Sequence, residues 1–219
     1  MILSSFLLPL VSALVISSAQ PAQSSARARI VALGDSLTSG RGIGVDSAYP
    51  AVLQQRLDAQ ELEFTMVNAG ISGDTSAGGV RRLERALDGD VRVLIVALGA
   101  NDGLRGVPIA QLEANLGHII ETAQARGISV LLCGMEALPI HGWDYSVAFH
   151  NAYRELAGKY QVPLVPFMLL NVIGNPEMMQ PDRAHPNAAG ARVIADNIWP
   201  YLDDLLQSIA GRHAHPASR

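Results

Sequence analysis

The chain has 219 residues, 49% of them hydrophobic and 16% charged, with a formal charge of −4. That length suits one domain able to bury a full core. With no basic stripe, nucleic-acid binding lacks its electrostatic footprint, and the single cysteine, Cys133, excludes an internal disulfide.

Residues 1–26 carry no charged side chain; a short apolar stretch from Phe6 to Ile16 precedes small residues at Ser17, Ser18, Ala19 and Ala22. This pattern predicts an export leader, removed after Ala19 or Ala22, and a periplasmic or secreted product. No Lys or Arg precedes the apolar stretch. The stretch is shorter than the roughly 20 residues a span needs, so no stable membrane span is expected. An uncleaved N-terminal anchor is the alternative.

From Arg27 onward, strand-like apolar runs alternate with segments of helical period. The strands are predicted at Ile30–Leu33, Phe64–Asn68, Val91–Leu98, Val130–Gly134 and Pro163–Phe167. Most are continuous Val/Ile/Leu runs, as in strands covered on both faces. Helices are expected near 48–60, 76–88, 109–126 and 145–160, the third on the stripe Leu112, Leu116, Ile119 and Ile120. A last helix is predicted from 187 to 209, with Pro200 expected to bend it. The βα alternation implies a parallel sheet with helices on both faces and right-handed crossovers. One domain over 27–210 and a flexible polar tail over 211–219 are the simplest organisation. His213 and His215 in that tail read as a frayed end and not as a metal site.

Polar clusters fall just beyond these strands. Gly34-Asp35-Ser36-Leu37 follows the first, Asn68 to Thr75 the second, and Gly99-Ala100-Asn101-Asp102 the third. In a parallel sheet these C-terminal ends share one edge, where open α/β sheets bind ligands. Ser36 alone could be a helix cap, and Asp35 is expected to brace its turn through backbone hydrogen bonds. A serine hydroxyl becomes a useful nucleophile only beside a base, and His185 is the candidate. Pro186 would occupy the first helical position, putting His185 at the cap. Asp182, three residues earlier, can hold the other ring nitrogen, completing a catalytic set Ser36, Asp182 and His185. Donors for an oxyanion would be the N–H groups of Ser36 and Gly73 and the side-chain amide of Asn101. Asn68 is expected only to pin its loop.

Cys133 lies inside an apolar run and reads as an inert buried thiol. His118, His141 and His150 have no partner at metal-ligand spacing, so no metal and no cofactor are expected. An apolar substrate pocket would draw on Leu37 beside the serine and on Leu104, Trp143, Tyr145, Met178 and Met179 from the loops 103–108, 139–145 and 168–180. A dinucleotide site at Gly40-Arg41-Gly42-Ile43-Gly44 is disfavoured. That glycine run does not open onto a helix, and the second strand ends in Asn68 where an acidic residue would hold a ribose. A non-catalytic binding module is a further alternative on this fold.

Together, Gly34-Asp35-Ser36-Leu37, Gly70 and Gly73, Gly99-x-Asn101-Asp102 and Asp182-x-x-His185-Pro186-Asn187 resemble the four sequence blocks of the SGNH (GDSL-type) hydrolases. The letters of that name fall on Ser36, Gly73, Asn101 and His185, and the match spans nearly all of residues 29–209. Ile71 to Thr75, Gly99 to Gly106 and Val162 to Phe167 are most similar to the bacterial periplasmic multifunctional thioesterase/lysophospholipase/arylesterase subgroup. The resemblance implies a flavodoxin-like α/β/α sandwich with strand order 2-1-3-4-5. It also implies hydrolysis of acyl or aryl esters and thioesters, with lysophospholipid among the substrates, through an acyl-serine. A carbohydrate acetyl esterase is the alternative within the family. The chain departs from that subgroup at Arg183-Ala184, where Gly-Ile is usual, so the rim of the site is expected to differ. A second departure is the glycine-rich segment Arg41 to Asp46.

Overall fold

Ile30, Val31, Ala32 and Leu33 are all fully buried, in a strand, β1 (Ala28–Gly34), that is paired along both edges and covered on both faces. The structure, a computed structural model, describes residues 27–214. The predicted leader, and residues 215–219 of the predicted tail, lie outside that range. β2 (Phe64–Gly70), β3 (Val91–Ala97), β4 (Ser129–Cys133) and β5 (Leu164–Val165) complete an all-parallel sheet in the order β2-β1-β3-β4-β5.

Helix α2 (Tyr49–Ala59) packs against α7 (Ala188–Ala214), whereas α5 (Ile109–Ala125) packs against both α3 (Ser76–Ala86) and α6 (Trp143–Tyr160). The sheet is thus covered on both faces, which is why its central strands carry unbroken apolar runs. Cys133 is fully buried among them, and burial pushes its thiol up to about 12. Among the described residues no helix is long and apolar enough to cross a membrane.

Register positions the site. Gly34 pairs with Gly70 on one side and with Ala97 on the other, so three strand ends stand abreast. Because β2 lies on one side of β1 and β3 on the other, a crevice opens at their C-terminal ends. Two short helices, α1 (Ser36–Ser39) and α4 (Ala100–Arg105), begin there. Neither was predicted, since one turn is too short to show a period. The predicted fifth strand shrinks to two residues between Pro163 and Pro166, which have no N–H for a ladder. α7 continues through Pro200 and on to Ala214, into the segment expected to be a flexible tail.

The end of β2 lies directly under α1. A Cβ at Gly70 would come within 2.3 Å of the Ser39 nitrogen and 2.7 Å of the Thr38 carbonyl carbon, both backbone atoms. The Gly70→Ala variant should therefore lose on the order of 2 kcal/mol through overpacking. Urea unfolding reads the loss directly; an unchanged midpoint would mean that α1 is free to lift away.

Candidate active site

Ser36 opens α1 on a turn braced by its neighbour. The Asp35 carboxylate caps the helix by accepting the Leu37 N–H at 3.0 Å. Gly40, at φ 73°, closes it after only four residues. As the first residue of the helix, Ser36 has an N–H with no intrahelical acceptor. Asp35 itself is fully buried, and that burial pushes its carboxyl up to about 6 against the opposing pull of its Leu37 and Asn101 hydrogen bonds.

The histidine arrives on a hairpin, not on a helix. Met179 and Pro186 form an antiparallel bridge, with Gln180 N–H donating to the His185 carbonyl at 2.8 Å and Asn187 N–H to that of Met178 at 2.9 Å. The expectation that Pro186 begins the last helix is thus corrected. Asn187 is the cap, its Oδ1 accepting from Ala189 and Gly190 at 2.9 and 3.0 Å. Asn is the better cap because its side chain can accept those N–H groups.

Across this turn His185 Nε2 lies 3.1 Å from Ser36 Oγ, and His185 Nδ1 lies 2.7 Å from Asp182 Oδ2. Asp182 Oδ1 also accepts the backbone N–H groups of Ala184 and His185, each at 3.0 Å. The His185 contact, followed by those two donors, holds the Asp182 carboxyl down at about 2, so it is ionised at neutral pH.

Gly73 and Asn101 border the same crevice. Gly73 has φ 79°, while a Cβ there would touch nothing, so backbone conformation and not space calls for glycine. Its N–H takes no acceptor among the described residues. The Asn101 amide is already engaged: Nδ2 donates to Asp35 Oδ2 at 3.0 Å and to the Asp74 carbonyl at 2.9 Å.

The crevice encloses about 360 Å³, and its apolar wall includes Leu104, Ala137, Leu138, Phe167, Leu169 and Ile173. Leu37 also lines it. Four residues expected in the pocket are elsewhere. Trp143 opens α6 and is 73% exposed, off the lining. Tyr145 turns its hydroxyl to the Val107 carbonyl at 2.9 Å. Met179 is buried in the core and Met178 packs against it, because the hairpin that presents His185 faces them inward. A wider hollow of about 560 Å³, bordered by Arg92, Gln124 and Ser129, has no histidine in its lining.

The model of the GDSL-like lipase/acylhydrolase family matches residues 32–193. The chain belongs to that family. It is 40% identical to Esterase TesA of Pseudomonas aeruginosa over 84% of this chain and 92% of that protein. It is 37% identical to Thioesterase 1/protease 1/lysophospholipase L1 of Escherichia coli K12, over 81% and 84% respectively. A crystal structure of TesA superposes with a TM-score of 0.78 at 39% identity, covering 81% of this chain and 99% of that one.

Within this GDSL-family site, several supporting residues escaped the sequence reading. Arg82 reaches from α3 to Asp74 Oδ2 at 2.7 Å, to the Ala69 carbonyl at 2.6 Å and to the Gly34 carbonyl at 2.8 Å. It ties the ends of β1 and β2 to the loop carrying Gly73. Buried Asp102 accepts the N–H and hydroxyl of Ser76 at 2.8 and 2.6 Å, locking α3 to α4. Arg105 donates to the Gly73 carbonyl at 2.8 Å. The Gly99-x-Asn101-Asp102 block pointed to Asp102; nothing local marks Arg82 or Arg105.

Asp35 yields a pH prediction. Its folded pKa of about 6 exceeds the ordinary 3.8, so the folded protein holds this proton more tightly than the unfolded chain does. The contribution favours folding below pH 3.8 and is lost as pH rises towards about 6. About two units correspond to roughly 3 kcal/mol. Urea titrations of Asp35→Asn between pH 4 and 7 should lack this decline; parallel curves for both proteins would assign the ionisation elsewhere.

Proposed function

We propose that Ser36 is the nucleophile, His185 the general base and acid, and Asp182 the residue that orients the imidazole. The chain is an ester and thioester hydrolase, and one observation carries the assignment of roles: the continuous line from Asp182 through both ring nitrogens of His185 to Ser36 Oγ, opening on an apolar crevice. With Nδ1–H donated to ionised Asp182, Nε2 is left as the acceptor a base requires.

Ser36 Oγ bonds to the acyl carbon as its proton passes to His185 Nε2. The carbonyl π pair moves onto oxygen, where the N–H groups of Ser36 and Gly73 and the Asn101 amide stabilise it. To join, Asn101 exchanges its bond to the Asp74 carbonyl while Asp35 keeps the amide oriented. Collapse breaks the bond to the alcohol or thiol, which takes the proton from Nε2 and leaves an acyl-serine. Water, deprotonated by His185, then releases the carboxylic acid and restores Ser36.

The apolar wall favours an acyl chain over a sugar and so supports acyl and aryl esters, acyl thioesters and lysophospholipids over the carbohydrate acetyl ester. Export rests on the uncharged, apolar-then-small pattern of residues 1–26.

Ser36→Ala should abolish hydrolysis of aryl esters and acyl thioesters and block labelling by an organophosphonate, with the unfolding midpoint retained. Residual turnover at the wild-type rate would remove Ser36 from the mechanism. Asp182→Asn should slow kcat by about 10⁴-fold by holding the wrong tautomer. Asn101→Ala should cost about 10²-fold in kcat, and a loss below about threefold would make Asn101 purely structural.

A further inference from the structure

Charges of opposite sign are treated differently around this crevice. Its carboxylates are all engaged. Asp35 accepts from Leu37 and Asn101, Glu136 Oε1 lies 2.6 Å from His150 Nδ1, and Asp182 holds His185. Among the cations, Arg105 is tied to the Gly73 carbonyl. The guanidinium groups of Arg41 and Arg183, both on the crevice lining, make no hydrogen bond or ion pair among the described residues.

Both arginines nevertheless stand on fixed backbone. Gln180 Nε2 donates to the Arg41 carbonyl at 2.7 Å, and the Arg183 N–H donates to the Gln180 carbonyl at 2.9 Å. One residue, Gln180, thereby ties the backbone of both. Arg183 has φ 56°, a left-handed conformation that a long side chain rarely adopts. That turn places Arg183 on the lining of this crevice and of the adjoining hollow bordered by Gly174 and Met179.

Position relative to the reaction fixes which part of a substrate meets them. The departing oxygen or sulfur must lie within reach of His185 Nε2, which returns its proton. Arg183 precedes His185 by two residues on the same turn, whereas the apolar wall comes largely from the loops after β3, β4 and β5. We propose that Arg41 and Arg183 form an anion subsite for the leaving group, selecting esters and thioesters whose alcohol or thiol carries a carboxylate or phosphate. This rests on the hydrolase mechanism above. Forked guanidinium donors match both anions, and in a chain of net charge −4 a local cationic pair is needed to draw an anionic substrate in.

The test uses the full chain and butanoyl esters of three phenols: 3-hydroxybenzamide (neutral), 3-hydroxybenzoate (carboxylate) and 3-hydroxyphenyl phosphate. A phenyl hemisuccinate, compared with phenyl butanoate, puts the anion on the acyl side. The readout is the ratio of kcat/KM for anionic over neutral ester, which cancels any general loss caused by altering the turn. That ratio should fall about threefold in Arg41→Gln or Arg183→Gln and about tenfold in the double variant, with Arg183→Lys, which keeps the charge but not the fork, falling less than Arg183→Gln. About 0.5 M salt should flatten the wild-type preference. The hemisuccinate ratio should stay constant. Whichever of the carboxylate and phosphate ratios falls further names the preferred anion. Equal ratios in wild type and double variant, with the neutral ester still hydrolysed, would overturn the subsite alone. A fall confined to the hemisuccinate would overturn its placement on the leaving group. Failure of folded wild type to cleave any of these esters would instead overturn the hydrolase mechanism.

Discussion

A 3.1 Å contact between side chains 149 residues apart governs this molecule: His185 Nε2 against Ser36 Oγ. Neither residue has useful chemistry by itself, since the hydroxyl needs a base and the base needs a fixed tautomer. Two independent constructions bring them together. Parallel pairing of β1 with both neighbours projects Ser36 beyond the sheet edge, and the Met179–Pro186 bridge folds the later segment back so that its turn crosses above it.

Behind the serine, polar groups are shared and not merely adjacent. Asp35 caps the helix that Ser36 opens and also orients Asn101; Asn101 in turn holds the Asp74 carbonyl, and Asp74 is gripped by Arg82. A displacement of any member would be felt at the others, because buried hydrogen-bond networks are costly to leave partly satisfied. Among the described residues no buried side-chain nitrogen or oxygen lacks a partner, and raising the Asp35 carboxyl to about 6 is what its desolvation costs.

The crevice joins three environments within a small volume. Ser36, Gly73 and Asn101, the proposed oxyanion donors, lie beside an apolar wall, and Arg41 and Arg183 line the same crevice. Chemistry common to a family and selectivity peculiar to one chain can therefore occupy neighbouring residues of one turn. In the reading proposed above, Asp182 and His185 carry the first and Arg183, between them, the second.

Local pattern determined much of this protein. Continuous apolar runs marked the strands, the 3.6-residue stripe marked α5, and the polar blocks at Ser36, Gly73, Asn101 and Asp182–His185 were legible because a parallel sheet gathers its C-terminal ends on one edge. Short-range signals failed where a residue's role depends on what it meets. Pro186 looked like a helix start yet pairs with Met179, and Met178 and Met179 looked like pocket residues yet face the core through the hairpin. Arg82 and Arg105 could not be singled out, since their acceptors are backbone carbonyls distant in the chain, which carry no residue signature. Sequence determined which groups are present and on which strand ends they stand. Tertiary structure alone decided which face the crevice and which brace it, because that choice is made by contacts between segments and not by the composition of any one of them.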